Sequence, residues 1–135
     1  MQNHNIYIAW KPEYNLGIPV IDEQHKGIVF IINTLYYGMQ NGYTKNFLEP
    51  INDMLHSYTR IHFQIEESFF EKSDYPDTEN HLSLHRELVA KLDEIGRKSV
   101  LDGDSRQLMD FLKKWWFHHI CESDMQYREF ILKGN

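Results

Sequence analysis

The segment NHLSLHRE, residues 80–87, carries two histidines four positions apart, His81 and His85. On a helix that spacing sets both imidazoles on one face about one turn apart, as a metal ion needs from a pair of nitrogen donors. The pair alone is a weak signal, because such spacing arises by chance in a chain with 8 His among 135 residues. Its meaning depends on whether other donors reach the same place. The candidates are His25 in IDEQHK (21–26), His62 and Glu66 in HFQIEE (62–67), and His119 and Asp124 in WWFHHICESD (115–124). No HExxH zinc-protease motif is formed, and the chain carries no GxGxxG, P-loop, nucleophile elbow or CxxC.

Apolar periodicity supplies the elements that must bring these residues together. Ile21, Ile28, Val29, Ile32, Leu35 and Met39 recur at helical intervals, with His25 in the same stripe, and predict a helix over about 20–41 stopped by Asn41-Gly42. A second helix is expected over about 45–72, with Thr44 as N-cap and the stripe Leu48, Ile51, Leu55, Tyr58, His62, Glu66, Phe69. Pro50 falls early in it, where a missing N–H is cheapest only if the helix begins nearby. After the turn SDYPD, Thr78 opens a third helix to about 101, with His81, Leu84, His85, Leu88, Leu92 and Ile95 on one face. The break DGD leads to a fourth over about 105–120, through Leu108, Leu112, Trp116 and His119, followed by a C-terminal helical segment.

Short connections force sequential helices to run antiparallel. The expected fold is therefore all-α, an up-down-up-down four-helix bundle forming a single domain over 1–135. Residues 1–18 make an N-terminal arm that packs on it through Ile6, Tyr7, Ile8 and Trp10. In such a bundle the starts of helices one and three meet the ends of two and four. His25, His62, Glu66, His81, His85, His119 and Asp124 then converge at one end of one core.

Burying that many imidazoles and carboxylates costs several kcal/mol without a compensating partner, and metal ions supply one. Five neutral nitrogens suit Fe, Cu, Ni or Zn better than Mg or Ca, and two carboxylates can bridge two ions. With a shared solvent oxygen, the set offers about eleven donor positions where two octahedral ions take about twelve, leaving roughly one vacancy for a small ligand.

The pattern H…HxxxE…HxxxH…HxxxxD, with Trp10 and Gly17 of the arm and Tyr75-Pro76 of the turn, resembles the hemerythrins in their bacterial branch, over nearly the whole chain. The resemblance implies a non-heme di-iron centre with an oxo or hydroxo bridge that binds O2 reversibly, for storage, transport or delivery. By the family pattern His81, His85 and His119 hold one iron, His25 and His62 the other, and Glu66 and Asp124 bridge. The second iron keeps the vacancy, which NO or small anions could share with O2. The alternative on the same metals is a di-iron oxidase or peroxidase, or iron and nitric-oxide handling in stress defence. Carboxylate-rich bundles with paired Glu-x-x-His motifs are the ones that resemble O2-activating enzymes, and this chain has neither pair. A non-enzymatic binding protein is the expectation.

Other residues have plainer readings beside functional ones. Trp116, Ile120 and Tyr127 project between His119 and Asp124 on a continuous helix and would line a ligand pocket or simply pack. His118 competes with His119, but only His119 continues the stripe of Leu108 and Leu112. His4 and His56 read as surface or rim residues, Cys121 as an inert half-buried thiol. Gly27, inside a helix, has no evident role. A formal charge of −6 argues against nucleic acid or an anionic membrane as partner. No segment reads as a signal peptide or membrane span, and a lone cysteine rules out an internal disulfide. A cytoplasmic, stand-alone domain is expected, with the recipient of any O2 unspecified.

Overall fold

The computed structural model describes residues 7–42, 45–115, 118–119 and 124–133. Helix α1, Pro19–Gln40, begins at a proline whose missing N–H has no intrahelical partner to lose. Its stripe of Ile21, His25, Ile28, Val29, Ile32 and Leu35 is buried. It ends where Gly42 adopts φ +68°, a left-handed turn that costs glycine nothing.

Helix α2, Lys45–Ser73, carries Pro50 in its interior. The helix thus starts earlier than the proline's preferred first turn, and the bond that residue 50 would donate to Asn46 is forgone on an exposed face. Thr44, the expected N-cap, lies outside the described residues. Helix α3, Thr78–Asp102, is stopped by Gly103 in the left-handed region. Before it, Thr78 bonds the Tyr75 carbonyl through both its backbone N–H and its hydroxyl.

Helix α4 is described over Arg106–Trp115, within the span expected for the fourth helix. His118 and His119 lie in a π-helical turn, and α5 covers Asp124–Lys133. A wider turn re-aims side chains relative to α spacing, which apolar periodicity does not register. Among the described residues there is no strand.

Helices α1 and α3 each pack against both α2 and α4, closing a four-helix ring, and α5 lies along α2. The larger core holds Ile28, Ile32, Leu35, Leu55, Phe63, Leu92, Leu108, Leu112 and Trp115. A smaller one gathers Leu16, Ile18, Ile21, Phe70, Tyr75, Tyr127 and Ile131. Each fully buried aliphatic side chain contributes about 1.5–3 kcal/mol.

Glycines within the helices mark close approaches to α2. A Cβ on Gly27 would overlap the Tyr58 hydroxyl, one on Gly38 the Phe47 ring, and one on Gly96 the Asn52 amide. Gly27, unexplained by the sequence, is thus a socket for Tyr58.

The arm is tied at two places. Ile8 and Asn33 exchange two hydrogen bonds, Ile8 N–H to Oδ1 at 2.8 Å and Asn33 Nδ2 to the Ile8 carbonyl at 2.9 Å. Buried Asp22 accepts the N–H groups of Leu16 at 2.7 Å and Gly17 at 3.1 Å. Tyr7 and Trp10 pack on the larger core, and Ile6 lies outside the described residues.

Candidate metal centre

Between the two apolar clusters lies a polar one. His25 comes from α1, His62 and Glu66 from α2, His81 and His85 from α3, and His119 from the turn after α4. All six are at most 5% exposed. Donor atoms of Glu66, His81, His85 and His119 lie within 4.8 Å of one another, and so do those of His25, His62 and Glu66. Glu66 belongs to both groups.

Its two oxygens face different partners. Oε1 lies 2.7 Å from His85 Nε2 and 3.2 Å from His81 Nε2. Oε2 lies 3.5 Å from His62 Nε2 and accepts the Tyr127 hydroxyl at 2.7 Å. One carboxylate therefore spans a three-imidazole and a two-imidazole subsite.

Aromatic rings build the walls. Phe63 stacks on His85 with centroids 3.7 Å apart and planes within 4°, and meets His119 edge-on at 5.5 Å. On the opposite side Phe70 meets His81 edge-on at 4.8 Å.

The local electrostatics suit metal ligation. Burial pushes the Glu66 carboxyl upward, but hydrogen bonds from His81 and His85 and the nearby His62 outweigh it and hold the group well below the usual carboxylate range. Burial pushes His25 down to about 4 against the pull of Glu66 and Asp22. At neutral pH the Glu66 carboxyl is anionic and the His25 ring neutral, the states in which each could donate a lone pair to a cation. Five imidazoles and a shared carboxylate fit a pair of borderline transition ions and do not suit Mg or Ca.

Of the seven residues singled out by the sequence, six meet here. Asp124 is the first residue of α5, and its side chain lies outside the described residues, as do Trp116, Ile120, Cys121 and His4. Tyr127 is fully buried and its hydroxyl serves Glu66. His118 is exposed whereas its neighbour His119 is buried in the cluster. Half-buried His56 contacts Asp93 in a cleft between α2 and α3 outside the cluster.

Two residues escaped the sequence reading. Gln24 Oε1 lies 2.8 Å from His62 Nδ1, and Glu67 Oε2 lies 2.8 Å from His85 Nδ1. Each is the sequence neighbour of a cluster residue, and one step along a helix rotates it onto the flank facing the adjacent helix. A polar residue beside a candidate ligand was the available signal.

The sequence also matches a family model, the hemerythrin HHE cation binding domain, across residues 16–131. The chain belongs to the hemerythrin family. Among curated relatives, the bacteriohemerythrin of Pseudomonas paraeruginosa (strain DSM 24068 / PA7) is 31% identical over 90% of this chain and 79% of that protein. The bacteriohemerythrin of Clostridium acetobutylicum is 29% identical over 88% of this chain and 97% of its own length. A crystal structure of a hemerythrin point mutant superposes with a TM-score of 0.82 at 24% identity, covering 94% of this chain and 98% of the other. That likeness establishes the hemerythrin four-helix bundle as the fold. As a hemerythrin-family domain the chain carries a cation-binding site, and no described helix is long and apolar enough to cross a membrane.

Proposed function

We propose that the cluster holds two iron ions and that the chain binds O2 reversibly, for storage, transport or delivery. The carrying observation is the position of Glu66, common to two donor groups with a different oxygen toward each. On this reading His81, His85 and His119 hold one ion and His25 and His62 the other, with Glu66 and Asp124 bridging. The iron pair, when bound, supplies the redox-active centre at which O2 is taken up and released.

The chain supplies the rest. Burial keeps His25 neutral and ready to donate, while hydrogen bonds keep Glu66 ionised. Tyr127 fixes the carboxylate by donating to the oxygen that faces His62. Phe63 and Phe70 limit water around the donors, and a dry site suppresses leakage of reactive oxygen species. The five-nitrogen set differs from the carboxylate-rich, paired Glu-x-x-His sets of O2-activating bundles, which favours binding over oxidation. Names of the curated relatives agree with this reading. NO or a small anion would compete for the same vacancy.

Loading with Fe(II) under anaerobic conditions, metal counting, and cycles of O2 and argon under a visible spectrometer test the proposal. Two irons per chain and an absorption band that appears with O2 and disappears on purging are expected. Prompt, irreversible conversion to the ferric form would replace it with the oxidase or peroxidase reading.

A further inference from the structure

Two cluster histidines turn Nε2 toward Glu66 and give Nδ1 to a helper on another helix. His85 of α3 leans on Glu67 of α2, and His62 of α2 leans on Gln24 of α1. Both contacts are 2.8 Å long. Nε2 lies 2.7 Å from Glu66 in one case and 3.5 Å in the other; when a metal ion takes the place of the Nε2 proton, Nδ1 keeps its own for the helper and the Nε2 lone pair is offered to the ion.

The helpers differ in charge. A carboxylate draws the Nδ1 proton more strongly than an amide oxygen does and raises the basicity of the opposite nitrogen. Phe63, stacked flat on His85, independently fixes that ring's plane, so Glu67 is not needed merely to hold it upright. Glu67 is 37% exposed and sits with Arg60 and Arg86 on the rim of a cleft of about 410 Å³ between α2 and α3. At that exposure solvent screens part of its charge.

We propose that Glu67 and Gln24 are positioning residues that make the two metal subsites unequal. Glu67 strengthens the three-histidine subsite through His85, and Gln24 leaves the two-histidine subsite weaker, so the former fills first. This rests on the ligand assignment above and adds to it a graded affinity set by groups that touch no metal.

Anaerobic titration with Co(II) alone, followed by its visible d–d bands and by competition with a chelator, resolves the two steps. Glu67→Gln keeps the hydrogen bond and removes the charge; the tighter step should weaken about 10-fold or more with two ions still bound. Gln24→Glu adds a charge on the other side and should tighten the weaker step by a similar factor. In the Co(II) protein, the hyperfine-shifted Nδ1–H signal of His85 should move in Glu67→Gln, as loss of packing alone would not cause. If both variants leave both steps within twofold, the inference is wrong. The control His85→Ala must abolish the tighter step; if it does not, the ligand assignment fails instead. Because the two substitutions act in opposite directions on different helices, loss of folding in one leaves the other decisive.

Discussion

At the scale of single residues, Glu66 illustrates how a buried charge is made tolerable. It is an anion in a site with no exposure, surrounded by His62, His81, His85 and the Tyr127 hydroxyl. Removing one donor to it leaves desolvated charge less well compensated. Tyr127→Phe should therefore cost the metal-free protein about 1.5–3 kcal/mol in urea unfolding, the range for a hydrogen bond to a charged group. A cost below about 0.5 kcal/mol would mean that the hydroxyl is dispensable. The six described cluster residues were readable because each interrupts an apolar stripe with a donor. His119 could be separated from His118 on the same ground. Gln24 and Glu67 were not readable, since residues on a helix flank reveal their partners only when the neighbouring helix is in place.

At the scale of elements, turns were more legible than helix interiors. Asn41-Gly42, the Tyr75-Pro76 turn and Gly103 end helices for local backbone reasons, and local sequence carries that information. The π-helical turn at His118 and His119 was not legible, because an apolar repeat does not register the change from α to π spacing. Gly38 is a case in which local propensity misleads. Alanine there gains about 1 kcal/mol of helix preference, yet its Cβ would overlap the Phe47 ring. Gly38→Ala should show a net loss of about 1–3 kcal/mol by chemical denaturation, as overpacking does; a net gain would show that Phe47 can yield. The arm presents the opposite case, a long-range tether through one side chain. Asp22→Ala removes the acceptor of the Leu16 and Gly17 amides. Their hydrogen exchange should quicken at least tenfold while the centre of α3 stays protected, and equal exchange in both proteins would show that apolar packing alone holds the arm.

For the molecule as a whole, the burial of its polar end makes stability depend on pH. His25 is held down at about 4, so between pH 6.5 and 4 the unfolded chain takes up a proton that the folded one refuses. Glu66, held below the usual carboxylate range, adds a loss in the same direction at lower pH. The metal-free protein should lose roughly 3 kcal/mol from the His25 contribution as pH falls through that window. Denaturant midpoints at pH 7 and pH 4.5 measure it, and unchanged midpoints would show that water reaches the ring.

The glycine sockets bear on this end of the molecule although they lie outside it. Gly27 and Gly38 are eleven positions apart on α1, as are Phe47 and Tyr58 on α2, so two aromatic pegs meet two holes at one matched interval. The pair works like a vernier: sliding one helix by a turn drives both rings onto side chains at once. Gly27 is two residues beyond His25, and Tyr58 four before His62. The relative height of two donors from different helices is thereby gauged by packing that contains no donor, and substitutions among the ligands can alter what is held without resetting where it is held.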